Sequence, residues 1–377
     1  MAVFWIVLGA LAFWVLQNKI YQKYWDKDME AGLRFTENTL TQGDNGILEV
    51  WVENRKFLPI PALKVKFQVS RNLQFEDTKK VSIVTDQYYR NDVLSVRPYM
   101  RHARKLPFAA AKRGYYEVHS MDLVASNFFM SHEYPKTLST YSQLYVYPRP
   151  YLDGTFLQTL QRINGEVLSK RHLLEDPFEY QGIREYSPFD TMRDINWKAS
   201  ARTGDLMVNV KGHTALKAVR IFLNLEDGAL LRHMVLLELS IRMACGAAQL
   251  FLQEGIRTQL YTNGLDILTG KTSGLEAGAG AGHMETIQKI LARIDLEQKA
   301  PSFTQTMEDA VFANNAQEVY TIFISADTQP DFQQMLIRCL QQKMDFAWIC
   351  PRLAQTAERI EGILEKHVHF VDGEEFL

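Results

Sequence analysis

The pattern of apolar and polar positions divides the chain into three parts. An uncharged apolar run comes first, a stretch of period-two alternation follows, and short apolar strands then alternate with amphipathic helices. The first run, Met1–Gln17, reaches about 20 residues when the next four are added, which is enough to cross the hydrocarbon core of a bilayer. We therefore predict a transmembrane helix over residues 1–21.

Basic residues lie only on the C-terminal side of this run, at Lys19, Lys23 and Lys27. A secretory signal peptide has the opposite arrangement, with basic residues first and a small-residue cleavage site afterwards. The positive-inside rule places the lysine side in the cytoplasm. The sequence thus predicts a single-pass protein of the cell membrane with the bulk of the chain cytoplasmic.

Period-two alternation is clearest in Leu48–Glu53 and Leu63–Ser70, where every second residue is apolar. This period is typical of strands with one buried face. Turn residues separate further short strands, and no helical period occurs between them. We predict a β-sandwich domain over residues 30–150. The further strands are Val81–Thr85, Val93–Pro98, Gly114–His119 and Gln143–Tyr147.

Alternating strands and helices predict an α/β domain over residues 218–377, with a doubly wound, mainly parallel sheet and helices on both faces. The apolar run Met234–Leu252 carries Glu238 and Arg242 in its middle, so we interpret it as a core helix and not as a second span. Residues 151–217 are interpreted as a linker. The predicted strands are Ala218–Asn224, Arg257–Thr262, Val319–Ser325, Asp345–Cys350 and Val368–Val371.

Composition removes several classes of function. The net charge of −2 gives no overall field that attracts nucleic acid. Cys245, Cys339 and Cys350 lie in apolar stretches without CxxC spacing, which predicts reduced core residues in a cytoplasmic compartment. Gly278–Gly282 lacks the spacing of a phosphate-binding loop, and His367 with His369 lacks further zinc ligands nearby.

One segment, residues 178–209, combines many charged residues with Tyr186 and Trp197. Charges of both signs alternate, so it is not a polybasic nucleic-acid patch. Two interpretations stay open: a clasp joining the two domains, with Trp197 as its buried anchor, or a docking surface for a partner protein. A catalytic role is disfavoured because no nucleophile or ligand cluster lies nearby. The candidate residues are Arg184, Glu185, Tyr186, Asp190, Arg193, Asn196, Trp197, Lys198 and Arg202.

The same segment resembles the signature of the domain-of-unknown-function 58 family. Matching residues beyond those candidates are Gly182, Ala199 and Thr203. Weaker similarities lie upstream, at Asn54-Arg55, Leu58-Pro59, 113–116 and 146–148, so the resemblance runs from about Gly43 to the C-terminus. Two features depart from the family. Its members usually begin with a hydrophobic hairpin, and they often read Asp-Pro-Phe-Gly where this chain has Ser126-Asn127-Phe128-Phe129.

The resemblance implies a von Willebrand factor A domain behind a membrane region, and genes lying beside those of MoxR-type AAA+ ATPases. In that fold the first strand ends in a metal-binding Asp-x-Ser-x-Ser. Here the corresponding positions hold Asn224, Glu226 and Gly228, with Asp327 as a remnant after a later strand. Most oxygen ligands of a hard cation are missing, so we expect no bound metal and no cofactor.

These observations predict a non-enzymatic, bacterial-type protein-binding or scaffold module anchored in the bilayer. The resemblance alone implies that it acts with a MoxR-type AAA+ ATPase in the assembly or maturation of other proteins. The alternative is a metal-dependent hydrolase that uses Glu226, Asp227 and Asp327. That alternative requires the carboxylates to converge on an open cleft.

Overall fold

The structure is a computed structural model, and it describes residues 2–75, 81–84, 87–173, 175–188, 190–213, 218–227, 233–313, 319–353 and 360–373. The chain forms two compact units, Met1–Arg149 and Pro150–Leu377.

Helix α1 spans Ala2–Tyr24 and has two different halves. Its side chains are exposed from Val3 to Leu16, whereas Gln17 and Tyr21 are buried, as is Trp25 just after the helix. Tyr21 and Trp25 belong to the core of the first unit, and the Tyr21 hydroxyl donates a hydrogen bond to the carbonyl oxygen of Pro59 at 2.8 Å. The predicted span 1–21 therefore overlaps residues that are packed into the first unit.

Two sheets complete the first unit. One has the strand order β1-β3-β8-β5, and the other has the order β2-β10-β9-β4-β7-β6. The strands are β1 Met29–Phe35, β2 Thr39–Thr41, β3 Asn45–Asn54, β4 Ile60–Ser70, β5 Leu73–Phe75, β6 Val81–Val84, β7 Gln87–Val96, β8 Met100–Ala110, β9 Gly114–Ser126 and β10 Glu133–Tyr147.

Both sheets contribute to one apolar core, so the unit is a β-sandwich. Leu48 and Val52 come from β3, and Leu63, Val65 and Leu144 come from the opposite sheet. Each of these side chains has less than 1% of its surface exposed. The alternation that predicted β3 and β4 is the alternation between this core and solvent. Strands β1, β2, β5 and β8 have no counterpart among the predicted strands.

The second unit alternates helices and strands. Its helices are α2 Gly154–Leu173, α3 Trp197–Thr203, α4 Met234–Gln253, α5 Ala281–Arg293, α6 Phe303–Val311 and α7 Pro330–Gln341. Its strands are β11 Glu175–Glu185, β12 Met207–His213, β13 Ala218–Asn224, β14 Thr258–Asp266, β15 Thr272–Gly278, β16 Ile294–Asp295, β17 Val319–Ser325, β18 Phe346–Arg352 and β19 Val368–Asp372.

The main sheet has the order β15-β14-β13-β17-β18-β19. Its neighbours from β14 to β19 are parallel, whereas β15 and the short β16 pair with β14 in the antiparallel sense. Side chains of β13 alternate between two cores. Val219 and Ile221 pack with helices α2, α4 and α5, and Phe222 packs with α6 and α7. The predicted parallel sheet with helices on both faces is therefore present.

The region 151–217, interpreted from sequence as a linker, contains α2, β11, α3 and β12 and lies in the second unit. Phe156, Leu160 and Ile163 of α2 are fully buried in the core that contains β13. Helix α4 is also mostly buried, as expected for a core helix, although its length and apolar composition match those of a membrane span.

Candidate functional site

The charged segment folds as an antiparallel hairpin of β11 and β12, with a 3-10 turn over Met192–Asp194 and α3 between the strands. We call residues 182–209 the motif hairpin. Ile183 pairs with Asn209 and Glu185 pairs with Met207. The backbone amide of Tyr186 donates to the carbonyl oxygen of Leu206 at 2.8 Å. The signature is thus one continuous local structure.

Arg184 and Asp190 form a bidentate ion pair inside this hairpin. The two guanidinium nitrogens donate to the two carboxylate oxygens at 2.7 and 2.5 Å. The Ser187 amide donates to the same carboxylate at 2.8 Å. The hydrogen bond from Arg184, supported by that amide, lowers the pKa of Asp190. Asp190 is therefore ionised at neutral pH and fixes the loop, which leaves it unsuited to act as a general acid.

Asn196 holds α3 on β12. Its side-chain oxygen accepts a hydrogen bond from the Ala199 amide at 3.0 Å, which is the N-cap interaction. Its amide nitrogen donates to Asn209 at 2.7 Å. The hydroxyl of Ser200 accepts from the Met207 amide at 2.8 Å. The side chains of Asn196 and Ser200 thus hold α3 against β12.

The outer surface of the motif hairpin carries large apolar side chains in contact with solvent. Their exposed fractions are 50% for Ile183, 70% for Met192, 64% for Trp197 and 45% for Leu206. Trp197 is therefore not the buried anchor that the sequence predicts, because it is the first residue of a short surface helix. Ile195 and Val208 are the buried apolar pair of this hairpin.

Three cations lie beside these apolar side chains: Arg193, Lys198 and Arg202 are exposed. Lys198 and Arg202 are four residues apart on α3, where like charges destabilise a helix by about 0.2–0.5 kcal/mol. Glu185 is exposed on β11, and Tyr186 is half-buried. Of the candidate residues, those in α3 and the 3-10 turn form a cationic and apolar surface, while Arg184, Asp190 and Asn196 hold it in place.

The ends of β13, β14 and β17 meet in a buried amide network instead of a ligand set. The Asn224 side chain donates to Ser325 at 3.0 Å and accepts from Asn263 at 3.0 Å. Asn263 also accepts from the Leu225 amide at 2.8 Å. Strand β14 continues through Asn263 and Gly264 to Asp266, beyond the predicted end at Thr262. The side chain of Asn224, at the first metal-site position, is therefore engaged in hydrogen bonds with the neighbouring strands.

The nearby carboxylates accept backbone hydrogen bonds. Glu226 accepts from the Phe303 amide at 2.8 Å, Asp227 from the His233 amide at 2.7 Å, and Asp327 from the Gln329 amide at 3.0 Å. Burial, with Glu226 and Asp227 adding repulsion, raises the pKa of Asp327 to about 6. Gly228 lies outside the described residues. Among the described residues, no group of three His, Cys, Asp or Glu side chains is arranged to hold a metal.

The two strand histidines have separate surroundings. Arg162 contacts the His369 ring at 2.7 Å, and burial followed by the charge of Arg162 lowers the pKa of His369 to about 4. His367 stacks on Phe346 with the ring centroids 5.0 Å apart. A cavity of about 250 Å³ lies beside them, and both signs of charge line it through Arg162, Glu166 and other residues. The histidines thus have local structural partners.

All three cysteines are buried and none forms a disulfide, as the sequence predicts. Burial raises the pKa of both Cys245 and Cys339 to about 12. These thiols are therefore protonated at neutral pH and shielded from reagents. The glycine-rich stretch ends β15 at Gly278 and precedes α5, with Gly280 at a φ of 84° before the first turn.

Comparison with known proteins leaves the chain without an assigned family. No family model matches, and no curated protein matches. Among solved structures, PapD-like domain 7 of human CEP192 is 11% identical over 32% of this chain and 86% of that domain, with a TM-score of 0.21. A non-cellulosomal cohesin from the archaeon Archaeoglobus fulgidus is 8% identical over 31% and 91%, with a TM-score of 0.22. A cohesin module from Clostridium perfringens is 7% identical over 30% and 97%, with a TM-score of 0.21. At these TM-scores the similarities say nothing about the function of this chain.

Sequence reasoning missed the apolar members of the surface, Ile183, Met192 and Leu206. Each stands beside a charged residue, as in Ile183-Arg184, Met192-Arg193 and Asp205-Leu206. The same neighbourhood holds for the buried Ile195, which follows Asp194, so the local sequence alone does not distinguish the exposed apolar residues from the buried one.

Proposed function

We propose that this chain is a membrane-anchored, non-enzymatic protein-binding module in which the motif hairpin is the docking surface. One observation carries the proposal: Trp197 and Met192 are exposed beside exposed cationic side chains on the motif hairpin. Tryptophan and arginine are the residues most often found at the energetic centres of protein interfaces.

The chemistry of the surface defines its partner. Exposed apolar side chains are best covered by an apolar pocket, and Arg193, Lys198 and Arg202 favour carboxylates around that pocket. The ordering cost of binding is small because hydrogen bonds of Asn196 and Ser200 already fix α3. We infer that the partner presents an acidic rim around an apolar groove.

The resemblance to the domain-of-unknown-function 58 family suggests which partner this is. We propose that a MoxR-type AAA+ ATPase docks on the motif hairpin, and that the second unit is a von Willebrand factor A-type domain that presents it. The parallel order of the sheet and the helices on both of its faces support that assignment. The role that follows is assembly or maturation of a client protein at the cell membrane.

Binding by surface variants tests the docking role. The full chain in detergent captures its partner from a membrane extract with and without ATP, and the affinity for the purified partner is then measured. Trp197→Ala and Arg202→Glu are each expected to weaken binding at least about tenfold, or 1.4 kcal/mol. The matched controls are Leu268→Ala and Lys271→Glu, which are also exposed but lie in the turn between β14 and β15. Equal binding by all four variants would rule out the motif hairpin as the docking site.

The hydrolase alternative predicts a different result. If Glu226, Asp227 and Asp327 held a catalytic ion, calorimetric titration with Mg²⁺ or Mn²⁺ would show micromolar affinity, lost in Asp227→Asn or Asp327→Asn. We expect no such binding, because those carboxylates accept hydrogen bonds from backbone amides and Asn224 is committed to Ser325. Micromolar affinity with that dependence would replace the binding module with the hydrolase.

A further inference from the structure

A turn of the β-sandwich carries three adjacent apolar side chains outside any core. Residues 127–132 connect β9 and β10, and the exposed fractions are 61% for Phe128, 50% for Phe129 and 65% for Met130. Three consecutive exposed apolar residues on a surface turn form a small patch of the kind that marks an interaction site.

This turn lies alongside the apolar half of α1. The rings of Phe129 and Phe13 are 6.2 Å apart in an edge-to-face arrangement, and the rings of His132 and Trp14 are 5.9 Å apart. Two hydrogen bonds fix the relation lower on the helix. Asn127 donates to the side chain of Asn18 at 2.5 Å, and Tyr134 donates to the Asn18 carbonyl oxygen at 3.3 Å.

We propose that the turn 127–132 inserts into the membrane beside α1, so that the sandwich contacts lipid through its own tip. The proposal rests on the proposed membrane anchoring of α1. Phe13 lies three residues before Leu16, the last residue of the exposed half of α1, or about 5 Å along the helix at 1.5 Å per residue. A bilayer that covers this exposed half therefore covers the turn as well, to a depth of about 5 Å, which is within the range common for interfacial elements.

The backbone of the turn suits a medium without water. Asn127 is fully buried and organises it: its side-chain oxygen accepts from the Ser131 amide at 2.8 Å, and its amide nitrogen donates to the Ser131 hydroxyl at 2.8 Å. The Met130 amide donates to the Asn127 carbonyl oxygen at 3.0 Å. Because these polar groups bond within the turn, the apolar side chains can enter lipid at a low desolvation penalty.

Residues nearer the sandwich than the turn have side chains that suit the headgroup region of a bilayer. Lys19 and Lys23 are exposed one turn apart on α1, where they face anionic headgroups. Phe57 is 79% exposed in the β3–β4 connection, which α1 contacts through the hydrogen bond from Tyr21 to Pro59. Phenylalanine is one of the side chains that interfacial elements bury at the boundary between headgroups and acyl chains. The chemistry thus changes from apolar at the turn to aromatic and cationic nearer the sandwich.

An environment-sensitive dye tests the proposal in the full chain. Phe128→Cys is labelled with a nitrobenzoxadiazole thiol reagent, and the three native cysteines do not compete because they are buried. The labelled chain is reconstituted into vesicles of phosphatidylcholine and phosphatidylglycerol, with or without doxyl groups on the acyl chains. The control is Tyr141→Cys, an exposed site on β10 about 25 Å along the strand from Glu133. Met130→Cys provides a second labelled site in the turn.

The expected result is a blue-shifted emission from positions 128 and 130 that loses most of its intensity in the presence of acyl-chain doxyl groups, while the dye at 141 remains water-like. Flotation of the vesicles is measured on the same samples. A chain that floats with a water-like dye at both turn positions overturns the insertion but leaves the anchor intact. A blue shift without doxyl quenching means that protein covers the turn and also overturns the insertion. A chain that does not float removes the anchor and the insertion together.

Discussion

The surroundings of Asp327 disfavour the ionised form of its carboxyl group. Its pKa is raised to about 6 by burial, then by Glu226 and Asp227, so the folded state holds the proton more tightly than the unfolded chain does. Ionised Asp327 therefore lowers the stability above about pH 6, and stability returns as the pH falls from 6 towards the unfolded value of 3.8.

Replacing this carboxylate with an amide removes the unfavourable charge and keeps an oxygen for the Gln329 amide. We expect Asp327→Asn to raise the free energy of unfolding by about 1–2 kcal/mol at pH 8, with the difference vanishing near pH 4. Denaturant unfolding at the two pH values measures it. The control is Asp331→Asn, an exposed carboxylate in the first turn of α7, which should cost a few tenths of a kcal/mol by weakening the interaction with the helix dipole. A loss of stability at both pH values for Asp327→Asn would contradict this account.

Trp197 separates stability from binding at the level of one side chain. Because its indole is 64% exposed, Trp197→Ala should change the free energy of unfolding by no more than about 0.5 kcal/mol. Ile195→Ala, a truncation of the buried neighbour, should cost about 2–4 kcal/mol. Thermal unfolding of both variants measures the difference. The role of the motif hairpin as a clasp between the domains stays a prediction, and a strong destabilisation by Trp197→Ala would favour it over the docking surface.

Two helix glycines in the second unit have opposite surroundings. A Cβ built on Gly246 in α4 lies 2.2 Å from the carbonyl oxygen of Tyr151, which is backbone. A Cβ on Gly165 in α2 has no heavy atom within 4 Å. Gly246 therefore permits the close approach of the chain at Tyr151, whereas Gly165 only weakens its helix.

These surroundings predict opposite effects of the same substitution. Gly246→Ala should lower the free energy of unfolding by about 1–3 kcal/mol through overpacking, and Gly165→Ala should raise it by about 0.5–1 kcal/mol. Circular dichroism during thermal unfolding gives both values. A neutral Gly246→Ala would show that Tyr151 does not hold its position against α4.

At the scale of elements, the sequence predicts best where one face of a segment is fully buried. All seven residues of β13 and of β17 are buried, and both strands were predicted with their observed bounds. Strand β8 was missed because its first four residues, Met100–Ala103, are exposed and include basic side chains, so they show no apolar alternation. Helix α2 was missed although its core residues Phe156, Leu160, Ile163 and Val167 recur at spacings of three and four, the pattern typical of an amphipathic helix, so the sequence does contain the signal for it. The charged segment was recognised from its residues, but the exposure of Trp197 depends on tertiary packing that a linear pattern does not contain.

At the scale of the whole molecule, we propose that the charges around α1 set the orientation in the membrane. Lys19, Lys23 and Lys27 follow the apolar half, and the positive-inside rule then predicts that both units lie in the cytoplasm. A reporter active only in the cytoplasm, fused to the C-terminus, should therefore be active, and one active only outside should be silent. The control variant moves the positive charges to the other side of α1: it combines Lys19→Gln and Lys23→Gln with two lysines inserted after Met1. In this variant part of the protein population should adopt the inverted membrane orientation. Activity of the external reporter on the unaltered chain would contradict the predicted orientation.

The central position of β13 has a consequence for how the protein is made. Strand β13 pairs with β14 on one edge and with β17 on the other. The ribosome synthesises β14 first and β17 roughly a hundred residues after β13, which takes about 5–20 s at usual elongation rates. During that interval one edge of a strand whose seven residues are all buried in the folded protein lacks its pairing. The nascent chain therefore carries an aggregation-prone edge, so slow synthesis between β14 and β17 should increase its demand for chaperones.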